Sequence, residues 1–459
     1  MNVHALIEEQ AHGVPRARAS QLGSPWPSTA VRLADGDILF GGVRLTELAD
    51  NYDTPLYVLD EAEVRRHAAA YRSALPDASV HYAAKAFLCA TLARWLNEEG
   101  LGLDVCSGNE LGLALAAHFP AERIVLHGNA KSEAELRLAV QRGVGRVVVD
   151  SFSEIAHLAA LADSERPQGV YVRVVPGIEA GHHSAVRTGV DDQQFGFPLS
   201  DGSALEAATR VLAQPHLRLD GLHCHLGSQI TEIEPFLIAV DRLVDLLAEL
   251  RDRNGRILPE LDLGGGHAIA YRPGEEPFVP AQFAAQVLPR LRQRCARHHL
   301  PVPRLAIEPG RAIVGPAGVA LYRVLAAKTT PAGRRILAVD GGMSDNPRPA
   351  LYGAEYSAYL VGRHSTWPVG SARIVGRHCE AGDVLVSDAQ LPEDVRPGDL
   401  IAIPAAGAYQ LSMASGYNLV GRPALIGVHE GEERVLLRRE GLADLLSREP
   451  AELPTMHSR

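Results

Sequence analysis

Between about Glu61 and Lys328 the chain alternates short apolar runs with longer amphipathic stretches, and this alternation limits the folds open to it more than any other feature. The runs are Ser79 to Ala84, Leu101 to Val105, Arg123 to Leu126, Arg146 to Val149, Val170 to Val174, Leu219 to His223, Leu261 to Leu263 and Leu305 to Ile307. Continuous rather than alternating hydrophobicity marks strands buried on both faces. The intervening stretches, such as Glu133 to Arg142 and Ile233 to Asn254, repeat apolar residues at three and four, as helices with one buried face do. Eight strands alternating with helices predict an α/β fold: a TIM-like (β/α)8 barrel, with a doubly wound sheet as the competing arrangement.

At 459 residues the chain exceeds one ordinary core and fits two domains. Residues 1–26, rich in Ala, Arg, Gly and Pro without periodicity, read as a poorly ordered leader. Residues 27–60 carry short strands at Val31 to Leu33, Ile38 to Phe40 and Pro55 to Leu59. Residues 61–328 form the barrel. After Lys328 the helical pattern stops, and runs such as Arg335 to Val339, Ala372 to Val375, Val384 to Val386, Leu400 to Ile403 and Val435 to Arg439 alternate with turns. Residues 329–459 therefore predict a second domain, a β-sandwich or β-barrel that the N-terminal strands join.

A net charge of -10 without a basic run argues against a nucleic-acid partner. Five cysteines with no CxxC spacing argue against a disulfide framework or structural zinc, and point to reduced thiols in the cytoplasm. No stretch approaches the ~20 uninterrupted apolar residues of a membrane span, and no signal-peptide core is written near Met1.

Lys85 follows the first apolar run, where a barrel strand end faces the active site. It could form a Schiff base if burial lowered its pKa enough to free the amine, or be an ordinary surface lysine. Gly264, Gly265 and Gly266 follow Leu261 to Leu263 and either cradle a phosphate with bare backbone N–H groups or make a tight turn. Glu308-Pro309-Gly310-Arg311 sets an acid, a bare backbone and a guanidinium at another strand end, suited to a cofactor ring nitrogen and to phosphate or carboxylate, or to a structural ion pair. His223 and His225, two residues apart on a strand, lack acidic or thiol partners at ligand spacing, which disfavours a metal. An imidazole stacked on a flat ring, with Ser228 donating to a phosphate, fits them better. Beyond the barrel, Asp340 to Tyr352, Cys379 to Asp383 and Gly407 to Tyr409 are turns unusually rich in Arg, Tyr, Cys and Glu.

Taken together, Tyr82 to Ala86, Leu103 to Ser107, His127 to Asn129, His225 to Gln229, the glycine triplet, Glu308 to Arg311, Asp340 to Tyr352, Cys379 to Asp383 and Tyr409 to Asn418 resemble the diaminopimelate decarboxylases. These belong to the alanine-racemase-like (fold type III) enzymes that use pyridoxal 5'-phosphate. The resemblance, spanning about Leu45 to Leu445, implies that Lys85 is the Schiff-base lysine, that His225 stacks on the pyridine ring and that Glu308 pairs with its nitrogen. Asp104 joins the cofactor set. The phosphate falls to Ser228, Gly264 to Gly266, the Gly310 region and Tyr409. By the same resemblance Arg311, Arg348 and Tyr352 bind the substrate's distal carboxylate and Glu380 its distal ammonium, and Tyr409 also binds substrate. Cys379 reprotonates the α-carbon, and Cys379 and Glu380 reach the site from a second copy in an obligate homodimer. The implied reaction converts meso-2,6-diaminopimelate to L-lysine and CO2, the last step of lysine biosynthesis.

Three positions depart from the family pattern: Ala381 where Ser is usual after Cys-Glu, Gln194 where Lys commonly precedes Phe-Gly-Phe, and Ala130 where a second Asn follows Asn129. None falls in the cofactor set, so they bear on substrate choice. The competing readings are a related decarboxylase acting on another, perhaps carrier-tethered, amino acid, a racemase of the same fold, and a non-catalytic homologue. Arg348, Tyr352 and Glu380 weigh against ornithine-type substrates, which lack a distal carboxylate. Retention of both Lys85 and Cys379 weighs against a non-catalytic role.

Overall fold

The computed structural model describes residues 20–179, 189 and 192–450. Eight parallel strands run in order: Ser79–Ala83, Gly102–Val105, Ile124–Leu126, Arg146–Val149, Gln168–Val175, Leu217–His223, Glu260–Asp262 and Arg304–Ile307. The eighth pairs back onto the first through Ala306 with Ser79 and Ile307 with Val80, so the sheet is closed and the doubly wound alternative is excluded. Helices between the strands start where the sequence supplies caps. Ser107, Ser132 and Ser151 each accept from the backbone N–H three residues on, and Ser132 with Glu135 completes a capping box.

Polar and apolar layers fill the barrel interior. Val125, Val148 and Tyr171 form a small apolar cluster separate from the main core. On one side of it Arg146 pairs with Asp220 at 2.8 Å and Glu260 at 3.0 Å. On the other, toward the C-terminal strand ends, lie Asp104, His127, Asp150, Arg173, His223, Asp262 and Glu308, all buried. So many ionisable groups in a dry interior cost stability unless each is paired, which marks that end as functional.

The second domain is a mixed sheet. Leu56–Asp60 lies between Gly318–Thr329, to which it is antiparallel, and Ala424–His429, to which it is parallel, so an N-terminal strand sits inside the C-terminal sheet. The other N-terminal strands, Ser20–Gln21, Val31–Arg32, Ile38–Phe40 and Val43–Arg44, make a four-stranded sheet of their own, packed on the larger one through Trp26, Ile38, Phe40, Val319 and Ile426. All but the last residue of Gly318–Thr329 falls within the stretch read from sequence as barrel, yet the strand belongs to this sheet because the barrel already closes at Ile307. Of the expected leader, residues 1–19 lie outside the described residues. Ser20–Gln21 pairs with Val31–Arg32 and Trp26 is buried, because an indole of that size gains by covering the sheet. No described helix is long and apolar enough to cross a membrane, and the five cysteines form no disulfide.

Candidate active site

The first barrel strand ends in a single turn of 3-10 helix, Ala84–Ala86, which lifts Lys85 into the barrel mouth. Burial presses its ammonium to release a proton, but Asp104, Tyr409 and Glu308 outweigh that and hold its pKa above the ordinary lysine value. Burial is the condition the sequence sets for a free amine; here the acidic groups beside Lys85 set the opposite direction.

Beneath Lys85, Glu308 stands between two imidazoles. His223 Nε2 lies 3.2 Å from Oε2, and His127 Nε2 lies 2.7 Å from Oε1 and 3.7 Å from Asp104 Oδ1. Burial alone would raise the Glu308 carboxyl, yet His127 and His223 bring it well below the usual carboxylate range. The neighbouring Asp104 and Asp262 go the other way, pushed well up by burial and by Glu308. Glu308 is thus pushed toward its charged form and the two carboxyls near it toward their neutral forms. Burial drives His127 down to about 3 and lowers His223, so both rings are neutral at pH 7. His127, His223 and Glu308 also have the make-up of a metal centre, with ligand atoms within 4.8 Å of one another. The absence of an acidic partner for His223 holds only along the chain; across the barrel, Glu308 is that partner.

Above this layer the glycine loop closes on the strand ends. Gly264 and Gly266 take φ of +67° and +94°, and a Cβ on Gly265 or Gly266 would come within 2.1 Å of the Glu308 carbonyl or 2.2 Å of the Gly227 carbonyl. Only glycine fits there. No helix follows until Pro280, so any phosphate here would be met by loop backbone and side chains rather than by a long helix end. Gly265 N–H donates to His225 Nδ1 at 3.2 Å, which leaves the ring proton on Nε2, and burial holds this imidazole well below its ordinary pKa, a flat uncharged surface. Arg311 donates to Ser228 Oγ at 2.7 Å and lies 4.5 Å from the centre of the Tyr409 ring. Tyr409, at φ +58°, donates its backbone N–H to Ala86 O at 2.8 Å and so ties the second domain to the Lys85 turn.

This donor set fits pyridoxal phosphate: a lysine amine, a neutral imidazole face, a bare-backbone cradle beside Ser228 and Arg311, and a buried carboxylate whose Oε1 makes no hydrogen bond. Lys85, Asp104, His225, Ser228, Gly264 to Gly266, Glu308, Gly310, Arg311 and Tyr409 thus converge on one barrel mouth. Arg348 joins them through two tyrosines that the sequence reading did not single out. Its guanidinium carbon lies 4.8 Å from the centre of the Tyr271 ring, it donates to Tyr356 Oη, and Tyr271 Oη accepts from Arg311. Burial would raise the Tyr271 phenol, but Arg311 and Arg348 bring it below the usual tyrosine value. Tyr352 ends the one-turn helix Arg348–Tyr352. Cys379 and Glu380 are not brought in: both are exposed, Glu380 accepts from Tyr417 Oη at 2.9 Å, and no hydrogen bond or ion pair among the described residues joins either to the Lys85 cluster.

Residues 61–315 match the family model of the pyridoxal-dependent decarboxylases, pyridoxal binding domain. Over 425 residues the chain is 54% identical to the diaminopimelate decarboxylase of Actinosynnema pretiosum subsp. auranticum, covering 92% of this chain and 95% of that one. The chain belongs to the diaminopimelate decarboxylase family. The Mycobacterium bovis member is 48% identical over 440 residues, 92% of this chain and 97% of its own. Among solved structures, the M. jannaschii diaminopimelate decarboxylase in complex with L-lysine superposes with a TM-score of 0.86 at 30% identity, covering 93% of this chain and 98% of that one. A lysine/ornithine decarboxylase from Vibrio vulnificus, at 23% identity and a TM-score of 0.72, shares the fold. Membership makes this chain a carboxy-lyase whose cofactor is pyridoxal phosphate.

Proposed function

We propose that this chain removes CO2 from meso-diaminopimelate to give L-lysine, using the barrel-top residues for the cofactor and the Arg348 pocket for the far end of the substrate. The observation that carries the reading is the chain of contacts from Ser228 through Arg311 and Tyr271 to Arg348, which sets a second buried cation beside the cofactor cradle. A substrate with a carboxylate at its non-reacting end has a use for that pair. Relatives at 42% to 54% identity bear the same activity in their names.

Bound pyridoxal phosphate supplies a sink for the electrons left on the α-carbon when CO2 departs. Lys85 Nζ is the amine that would hold the cofactor. Glu308 would keep a proton on the ring nitrogen, and Asp104 lies in the same buried layer. His225 would pack against the ring, and Ser228, Gly264 to Gly266, Gly310 and Tyr409 would hold the phosphate. Arg311, Arg348 and Tyr352 take the distal carboxylate and Glu380 the distal ammonium, opposite charges for opposite ends. Cys379 delivers a proton from Sγ to the α-carbon.

The last two residues act from a second copy, so the working unit is a homodimer in the reduced cytoplasm. Support for this comes from the exposure of Cys379 and Glu380, and from Tyr417 and Leu419, which stand 37% and 75% exposed in the following turns. The test offers purified protein and pyridoxal phosphate meso-diaminopimelate, L-ornithine, L-arginine and L-glutamate, with CO2 and product amines measured. CO2 from meso-diaminopimelate with L-lysine as product is expected; preference for any of the other three overturns the substrate assignment.

A further inference from the structure

We infer that His127 and His223 are positioning residues for Glu308, fixing its carboxylate in one orientation beneath the cofactor's ring nitrogen. The inference rests on the assignment of Glu308 to that nitrogen made above. A glutamate side chain at a strand end can turn about three bonds, and Glu308 has two other carboxyls in its layer, Asp104 and Asp262. His223 and His127, from the ends of two different strands, each meet one of its oxygens.

His223 anchors one oxygen. Its Nδ1 is buried without a partner, so its single ring proton is on Nε2, aimed at Glu308 Oε2 3.2 Å away. An unpaired buried nitrogen is costly, and the bond on the other side of the ring gives the reason to tolerate it. His127 buttresses the other oxygen. Its Nε2 lies 2.7 Å from Oε1, a contact close enough to fix that oxygen. The two rings stand edge to face, 4.8 Å between centres and 69° between planes. His127 is itself pinned: its backbone N–H donates to Val105 O at 2.8 Å, and buried Lys131 holds the next carbonyl, Gly128 O, at 2.7 Å while donating to Glu154 at 2.6 Å. Glu308 is held from behind by its own N–H on Gly264 O at 2.8 Å. Each carboxylate oxygen thus has one imidazole against it.

The test is a double-mutant cycle of His223→Leu with Glu308→Gln, reading the dissociation constant of pyridoxal phosphate from the apoenzyme as well as kcat and KM. His223→Leu should weaken cofactor binding and lower kcat about 10- to 100-fold, the scale on which partners that orient a ligand act. KM for meso-diaminopimelate should hold, because the far end of the substrate is bound at Arg348. His223→Gln, which keeps an N–H donor, should recover to within about threefold. In the Glu308→Gln background the His223 substitution should add almost nothing, since residues acting through one another are not additive. His127→Leu should follow the same pattern, and His223→Asn replaces His223→Leu in the cycle if that chain does not fold. Equal losses in both backgrounds overturn the inference. If Glu308→Gln alone leaves cofactor affinity and kcat at the parent level, the assignment of Glu308 fails instead, a different outcome.

Discussion

Arg348 stands over the face of Tyr271, its guanidinium carbon 4.8 Å from the ring centre, while the hydroxyl of that same ring accepts from Arg311. One tyrosine therefore separates Arg311, which donates to Ser228, from Arg348, the cation we propose for the substrate's far end. It also screens the repulsion between them, by cation–π attraction on one side and a hydrogen bond on the other.

Arg348→Met should leave the cofactor bound and abolish most use of meso-diaminopimelate. Removing one partner of a desolvated charge pair costs ~2–5 kcal/mol, about 30-fold to several thousand-fold in affinity. The loss should fall mainly on KM, with a smaller fall in kcat from poorer aim of the bond to CO2. Tyr271→Phe keeps the ring under Arg348 and removes only the hydroxyl, which serves Arg311 and Arg348, so its effect should be smaller than loss of the Arg348 charge itself. Steady-state kinetics on both variants check the order; equal efficiency of Arg348→Met and the parent removes Arg348 from the substrate pocket.

The barrel was legible because strands buried on both faces write themselves as uninterrupted apolar runs, and Leu103, Val105, Val147 and Val149 do so plainly. The polar interior was not. His127, Arg173, His223 and Asp262 each occupy a single inward position among such residues, and only closure of the sheet brings them onto Glu308. Period-two placement of an ionisable residue in an otherwise apolar strand was the available signal. Tyr271 and Tyr356 were hidden differently: they lie in loops without periodicity, and their link to Arg348 is made across separate turns. Lys85, Glu308 and the glycine triplet stood out because each sits where a strand ends.

Lys85→Ala should remove covalent attachment of the cofactor and lower turnover by orders of magnitude. In the free protein Asp104, Tyr409 and Glu308 keep this amine charged, and alanine offers neither that charge nor a nucleophile. Borohydride reduction followed by peptide mapping places the pyridoxyl group; finding it on another lysine sinks the assignment.

Subunit mixing tests the homodimer. Lys85→Ala and Cys379→Ala should each be nearly inactive alone, because one lacks the amine and the other the partner's thiol. If each site draws Lys85 from one copy and Cys379 from the other, random pairing makes half the dimers mixed, each with one intact site, so about a quarter of parent activity should return after co-expression. No recovery, with mixed dimers shown to be present by mass, places both residues in a single chain.

Acid should destabilise the fold through its buried imidazoles, and His267 isolates the effect away from the reacting groups. It stacks on Phe278 at 4.0 Å between ring centres, its Nδ1 lies 2.8 Å from Tyr71 Oη, and burial pushes it down to about 3. Unfolded, the same ring titrates near 6.5. Between those values the unfolded chain binds a proton that the folded chain refuses, so stability rises with pH across that window and is lost on acidification from about 6.5 toward 3. Going from pH 7 to 5 should cost about 2 kcal/mol from this residue alone. His267→Phe keeps an aromatic ring in the stack and gives up the Tyr71 contact, a loss that is the same at both pH values. Denaturant unfolding at pH 7 and pH 5 should therefore show a smaller drop for the variant than for the parent by about that amount; parallel losses in the two proteins would mean that His267 takes up its proton without unfolding.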